Sequence, residues 1–330
     1  MIKPPFLKTG DTIGITAPSK GVDDPLDIVR FRNAESVLKE RGYGITFTPN
    51  VFTNFEDRSS PAKQRADELE SLIEDRNVRY IVSAKGGDFL NEIFEFTDLS
   101  KIRDDPKWIQ GYSDNTDILM TVTTAYDIMS VYCGNFGDYG MEPWHRSVSE
   151  NIEFIEGRRK EQESFDLYET GFGERITGLE PICGTADVIW DSDDCEFEGI
   201  LLGGCFDKLL LIPGTDRDHV SEFIERHGKP IVWYMEVYAS NPDEIKRSIK
   251  TMEESGWFCN VSGFIFGRPL FYEGELDYTK LMKDILSGYD VPKVFDADIG
   301  HKAPRMTMIN GAYAKITIKS NKGTVEYIDL

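Results

Sequence analysis

Trp108-Ile109-Gln110-Gly111-Tyr112-Ser113-Asp114-Asn115-Thr116-Asp117-Ile118-Leu119 passes from an apolar approach through a tight polar turn into a second apolar run. The pattern is that of a strand, a sharp turn and a helix. A serine at the head of such a turn lifts its hydroxyl above the sheet, beside a helix N-terminus whose free N–H groups carry a partial positive charge. Two readings of the turn compete: Ser113 sits where a nucleophile would sit, or Ser113 or Asp114 caps the following helix. The residues are not Gly-x-Ser-x-Gly, so the general α/β-hydrolase elbow motif does not apply.

Upstream, Asp11 to Ser19 reads as a buried strand ending in a Pro/Ser turn, Asp27 to Arg41 as an amphipathic helix stopped by Gly42, and Ile45 to Pro49 as a second strand. Ser60 to Asp75 carries Ala66, Leu69, Leu72 and Ile73 at helical spacing, with Pro61 in its first turn, and Val78 to Ser83 is a third strand. Alternating strands and helices imply an α/β unit with a parallel sheet covered on both faces. Ligands in such sheets bind beyond the carboxyl ends of the strands, where Lys85-Gly86-Gly87 and Tyr112-Ser113-Asp114 both fall. Gly86-Gly87 either lets backbone approach a ligand and aim an N–H outward, as an oxyanion donor must, or is an ordinary glycine turn.

Downstream, the apolar periodicity fades between about Gly140 and Gly178 around the charged run Glu156 to Glu163. This stretch reads as a linker with one solvated helix, which divides the chain into residues 1–150, a linker over 151–178, and a second domain over 179–330. In that second part Ala186 to Trp190, Gly199 to Gly204, Lys229 to Tyr234, Gly263 to Phe266 and Val294 to Ile299 read as strands. Cys205 to Ile212 and Asn241 to Gly256 read as helices, and the C-terminus as a hairpin over Thr307 to Ile309, Ala314 to Ile318 and Val325 to Ile328.

A chain of 330 residues, 40% hydrophobic, supports two cores, and a net charge of −21 would repel phosphates, which argues against nucleic acid or an anionic membrane as partner. Five scattered cysteines without a Cys-x-x-Cys pair fit a reducing compartment. Met1 leads straight into Ile-Lys-Pro-Pro without a signal-like segment, and no run approaches ~20 apolar residues. A cytoplasmic protein is expected.

Of four histidines, His301 alone follows a strand end with a glycine before it, whereas His145, His219 and His227 stand in charged surroundings that read as plain surface. Glu236 ends an apolar strand, where burial could hold it as an orienting carboxylate for a histidine. Ser113, His301 and Glu236 are the nucleophile, base and orienter types of acyl transfer, although sequence does not show that they meet. No histidine–carboxylate cluster has metal-ligand spacing, and neither Gly-x-x-x-x-Gly-Lys-Ser/Thr nor Gly-x-Gly-x-x-Gly occurs, so no metal and no cofactor is expected.

Several blocks in order carry a resemblance: Lys3-Pro to Pro18-Ser19, Gly86-Gly87 with Asn91-Glu-Ile93, Gly111-Tyr-Ser-Asp-x-Thr116, Gly199-x-Leu-Leu-Gly-Gly204, Trp233-Tyr-Met-Glu236, Ile265-Phe-Gly-Arg268 and Asp298-Ile-Gly-His301. Across nearly the whole chain they are similar to the LD-carboxypeptidase family of serine peptidases, and the Asp105-Pro-Lys and Asn91-Glu-Ile stretches resemble its microcin C immunity branch more than its cell-wall recycling enzymes. The resemblance implies a Ser113-Glu236-His301 triad with Gly87 and Asp114 N–H groups as the oxyanion hole. It also implies a Rossmann-like N-terminal domain, a β-rich C-terminal domain, an active site between them, and a homodimer.

The chain departs from that family at Lys85, Cys205 and Val237, where Arg, Asn and Asp are common. Lys85 keeps the charge but not arginine's bidentate fork, so with Gly86 and Tyr112 it is expected to contact substrate in a different way. Cys205 reads as a second nucleophile or as a small packed residue, the latter being the usual behaviour of free cysteine. Trp190, ahead of the acidic stretch Asp191 to Glu198, either stacks on a nucleobase or belongs to the core. The expected substrate is a small peptide or a peptide–nucleotide conjugate. The alternatives are an LD-tetrapeptide of cell-wall recycling and a binding module without catalysis.

Overall fold

The computed structural model describes residues 1–330. The first sheet is built from Thr12–Thr16 (β1), Gly44–Phe47 (β2), Val78–Ser83 (β3), Trp108–Gly111 (β4) and Ser130–Tyr132 (β5). They lie side by side in the order β2-β1-β3-β4-β5, all parallel. β1 and β3 are buried at successive positions rather than alternate ones because both faces of the sheet are covered.

The covering helices start where capping chemistry dictates. Pro25–Glu40 (α1) opens on Asp24, whose carboxylate accepts from Leu26 N at 2.9 Å and Asp27 N at 3.2 Å. Ala62–Glu74 (α2) buries Ala66, Leu69, Leu72 and Ile73 as their spacing requires, and Pro61 stands just before the helix instead of inside its first turn. Thr116–Tyr126 (α3) leaves the serine turn and is buried at nearly every position.

The stretch expected as a linker with a solvated helix is different in two respects. The helix is Arg146–Ile155 (α4), ahead of the charged run, and it buries Val148, Ile152, Phe154 and Ile155. The charged run ends instead in an edge strand, Glu161–Glu163 (β6). Period-two alternation there exposes both glutamates and buries Gln162, whose amide exchanges hydrogen bonds with Thr307 at 2.7 and 3.0 Å. A two-strand ribbon, Leu167–Tyr168 (β7) with Ala186–Asp187 (β8), follows.

The second sheet contains Cys195–Cys205 (β9), Ile231–Glu236 (β10), Val261–Gly267 (β11), Lys293–Ala297 (β12), Tyr313–Lys319 and Lys322–Tyr327. Between β12 and the last two strands, Met308–Asn310 (β13) returns to the first sheet and pairs antiparallel with β5. With β13 so numbered, the final strands are β14 and β15, and the second sheet runs β12-β11-β10-β9-β14-β15-β6. Residues 1–150 thus do not complete their own sheet, and residues 151–330 do not stay in theirs. β13 covers the edge that a three-residue β5 would otherwise leave exposed.

The helices Phe206–Leu209 (α5), Val220–His227 (α6), Pro242–Glu254 (α7) and Tyr278–Ile285 (α8) complete the molecule. β10 shows how the second sheet is packed: Val232 and Tyr234 join the core continuous with the first sheet, while Ile231, Trp233 and Met235 face the core beneath α6, α7 and α8. The architecture is mixed α/β, a parallel-sheet N-terminal part and a β-rich C-terminal part, with the carboxyl ends of β4, β9 and β10 meeting between them.

Candidate active site

Ser113 follows β4 by two residues with φ of 62°, a left-handed conformation that a non-glycine residue adopts only when its surroundings hold it there. The holding is visible. Thr116 Oγ1 donates to Ser113 O at 2.7 Å, and Asn115 Nδ2 donates to Lys85 O at 3.2 Å and to Tyr112 O at 3.0 Å. Neither Ser113 nor Asp114 caps α3 with its side chain. Asp114 turns away instead, accepting from Ser19 Oγ and from Leu90 N at 2.9 Å and pairing with Lys208 Nζ at 3.2 Å. Gly86 lies against the serine, so that a Cβ there would stand 2.9 Å from Ser113 Cβ and 3.0 Å from its Oγ. The Asp114 N lies 3.6 Å from the same Cβ position, so Gly86 and that N–H stand beside the hydroxyl.

Glu236 ends β10 and is fully buried, and His301 follows β12 at 7% exposure. His301 Nδ1 lies 3.0 Å from both carboxylate oxygens of Glu236. This contact needs Gly300, at φ of 96°, because a Cβ there would stand 2.5 Å from Glu236 Cδ and 2.6 Å from Oε2. Burial alone would raise the Glu236 carboxyl, but the His301 charge and hydrogen bond, with Tyr132, outweigh it and leave it below the ordinary glutamate range. Tyr132 Oη donates to Glu236 Oε1 at 2.7 Å and stands 3.5 Å from Ser113 N, which joins the serine turn to the acid. The hydrogen bonds of the site do not include one from Ser113 Oγ to His301. Tyr112 bridges the two, its ring centroid 5.0 Å from that of His301.

Cys205 is the neighbour of Glu236 in the strand register and is buried with it. Burial, reinforced by the Glu236 and Asp207 carboxylates, pushes its thiol well above the usual range, so it is protonated and not an activated nucleophile. Spacing along the chain hides a further fact: ligand atoms of Cys205, Glu236 and His301 all lie within 4.8 Å of one another.

From this centre a cleft of about 1000 Å³ opens past Gly86, Tyr112 and His301 towards the segment from Glu169 to Thr185. Lys85 lines it, with its Nζ 2.6 Å from Asp27, which also binds Arg175 at 2.7 Å. Trp190 is fully buried and donates from Nε1 to Asp298 Oδ2 at 3.2 Å, which settles it as a core residue, not a base-stacking one. The other three histidines are half-buried rather than surface groups: His145 caps α4, His219 precedes α6, and His227 Nε2 meets Asp127 at 2.7 Å.

Sequence reading missed Tyr132, Tyr238 and Arg305. Tyr238 packs on His301 at 4.5 Å between ring centroids, and Arg305 lies over the Tyr112 ring at 4.4 Å while pairing with Asp138. Tyr132 could have been found from its place at the carboxyl end of a strand; Tyr238 and Arg305 carry no such signal.

Family models for the LD-carboxypeptidase N-terminal domain and the LD-carboxypeptidase C-terminal domain match residues 13–133 and 198–316. The microcin C7 self-immunity protein MccF of Escherichia coli is 24% identical over 318 residues, covering 92% of this chain and 89% of its own. A solved structure of MccF in complex with aspartyl sulfamoyl adenosine superposes with a TM-score of 0.83 at 20% identity over 100% of both chains. A muramoyltetrapeptide carboxypeptidase from Oxalobacter formigenes does so with a TM-score of 0.74 at 18% identity, over 96% of this chain and 99% of that one. The two matched segments carry the serine turn in one and Glu236 and His301 in the other, and the chain belongs to the LD-carboxypeptidase family of peptidases.

Proposed function

We propose that this peptidase is a serine hydrolase in which Ser113 attacks an amide carbonyl while His301 Nε2 takes its proton. Glu236, bound to Nδ1, orients the ring and balances its positive charge. The observation that carries the reading is the buried Glu236–His301 pair, joined through Tyr132 to a serine held in a left-handed turn. Gly87 and Asp114 N–H groups would hold the oxyanion, each such donor contributing roughly 2.7–4 kcal/mol in other serine hydrolases. The protonated His301 then gives its proton to the leaving amine, and water, activated by the same histidine, releases the acyl group from Ser113.

For substrate we favour an aminoacyl- or peptidyl-nucleotide conjugate. A cleft of about 1000 Å³ beside His301 has room for a bulky group beyond the scissile bond. MccF structures holding aspartyl sulfamoyl adenosine and glutamyl sulfamoyl guanosine lend support. Removal of the terminal D-residue of an LD-tetrapeptide is the second reading, favoured by the muramoyltetrapeptide carboxypeptidase likeness. Comparing kcat/KM for a peptidyl-adenylate conjugate and an LD-tetrapeptide decides between them: higher for the conjugate on our reading, and a clear preference for the tetrapeptide overturns it. A protein that turns over neither, and forms no adduct at Ser113, is a binding module.

A further inference from the structure

The mechanism leaves the buried thiol of Cys205 unused. Cys205 ends β9 as Glu236 ends β10, the two are paired in register, and His301 reaches the same point from beyond β12. A thiol, a carboxylate and an imidazole are thus brought within 4.8 Å of one another by three different segments, with Glu236 and His301 already at 3.0 Å. We propose that Cys205, Glu236 and His301 form a binding site for a soft divalent cation, zinc or cadmium, with the fourth coordination position left to solvent.

The donor set is the one zinc prefers: sulfur near ~2.3 Å, nitrogen and oxygen near ~2.0–2.2 Å, in tetrahedral geometry. Donors at those lengths stand a little over ~3 Å apart, so the trio closes on an ion by side-chain adjustment without moving a strand. Tyr132 occupies Oε1 of Glu236, which leaves Oε2 to the metal. His301 forms part of the cleft wall, so an ion arrives from the cleft. Binding takes the thiolate form of cysteine and the His301 tautomer with its proton on Nε2 instead of Nδ1, and the thiol proton is released to solvent as the metal–sulfur bond forms. An ion there engages both partners of the proposed base, so it also shuts off hydrolysis. That consequence, unlike the binding itself, rests on the serine reading above.

The test uses the full chain freed of metal. Cadmium is titrated while the thiolate-to-metal absorption band is followed, in the wild type and in Cys205→Ala and Cys205→Ser, and zinc inhibition of each is measured against its own metal-free rate. We expect one cadmium equivalent to give the band in the wild type and not in either variant, and inhibition at least about tenfold weaker in both, reversed by a chelator. An undiminished band in both variants, or a wild type that binds no cadmium, overturns the site. A band that depends on Cys205 in a protein without hydrolytic activity keeps the site and removes the serine reading.

Discussion

Ser113, Glu236 and His301 each stand where a strand of one of the two sheets delivers its last residues, and that position is legible in sequence. What holds them in place is less so. Tyr132 ends a three-residue strand that the sequence reading does not contain, and its bond to Glu236 spans 104 positions of sequence. At this scale the account makes two predictions. Ser113→Ala and His301→Ala each lower kcat by more than a hundredfold, and the double variant is scarcely worse than either, because nucleophile and base act as a unit; multiplying losses in steady-state rates would break the assignment. Glu236 supplies the second. Its carboxyl is held below the ordinary glutamate value of 4.5, so it binds fewer protons folded than unfolded. The stability it contributes is full above that value and is lost as pH falls through the depressed one. Urea unfolding between about pH 6 and 3 should show a steeper acid decline for the wild type than for Glu236→Gln, in line with linkage, and parallel curves would contradict it.

Among the elements, β3 is legible to the residue, and the helices with clear stops agree within a few positions. α4 was not, because its apolar residues precede a charged run that dominates any window containing both. β9 is longer than its Gly-rich end suggests: Cys195 to Glu198 alternates as a half-exposed strand, so the acidic stretch is partly sheet and does not border the cleft. The element that most constrains the chemistry is the turn after β12. Gly300→Ala places a methyl group 2.5 Å from Glu236 Cδ at a φ that alanine resists, so the Glu236–His301 pair must separate. We expect a drop in kcat of at least about tenfold and a loss of about 1–3 kcal/mol in stability. Calorimetry and steady-state kinetics on the one variant check both, and a variant of wild-type rate would show that the pair is not needed.

At the scale of the molecule, the two-part division that length and composition suggest is present as two sheets, and the larger of two apolar cores spans both. β13 closes the first sheet from the far end of the chain, and one apolar cluster runs from Leu7 through Trp108 and Tyr234 to Val325. Sequence periodicity carries no information on which sheet a strand joins, so this crossing was invisible there. It predicts a single cooperative unfolding transition in calorimetry, and two resolved transitions would contradict it. It also ties the sheet that carries Ser113 to the one that carries Glu236 and His301. Whether that junction does the chemistry is read most directly from the mass of the protein caught during turnover of a peptidyl-adenylate conjugate. The account predicts the acyl fragment on the peptide containing Ser113 and its absence in Ser113→Ala. An adduct on Cys205 instead, or full turnover by Ser113→Ala, would contradict it.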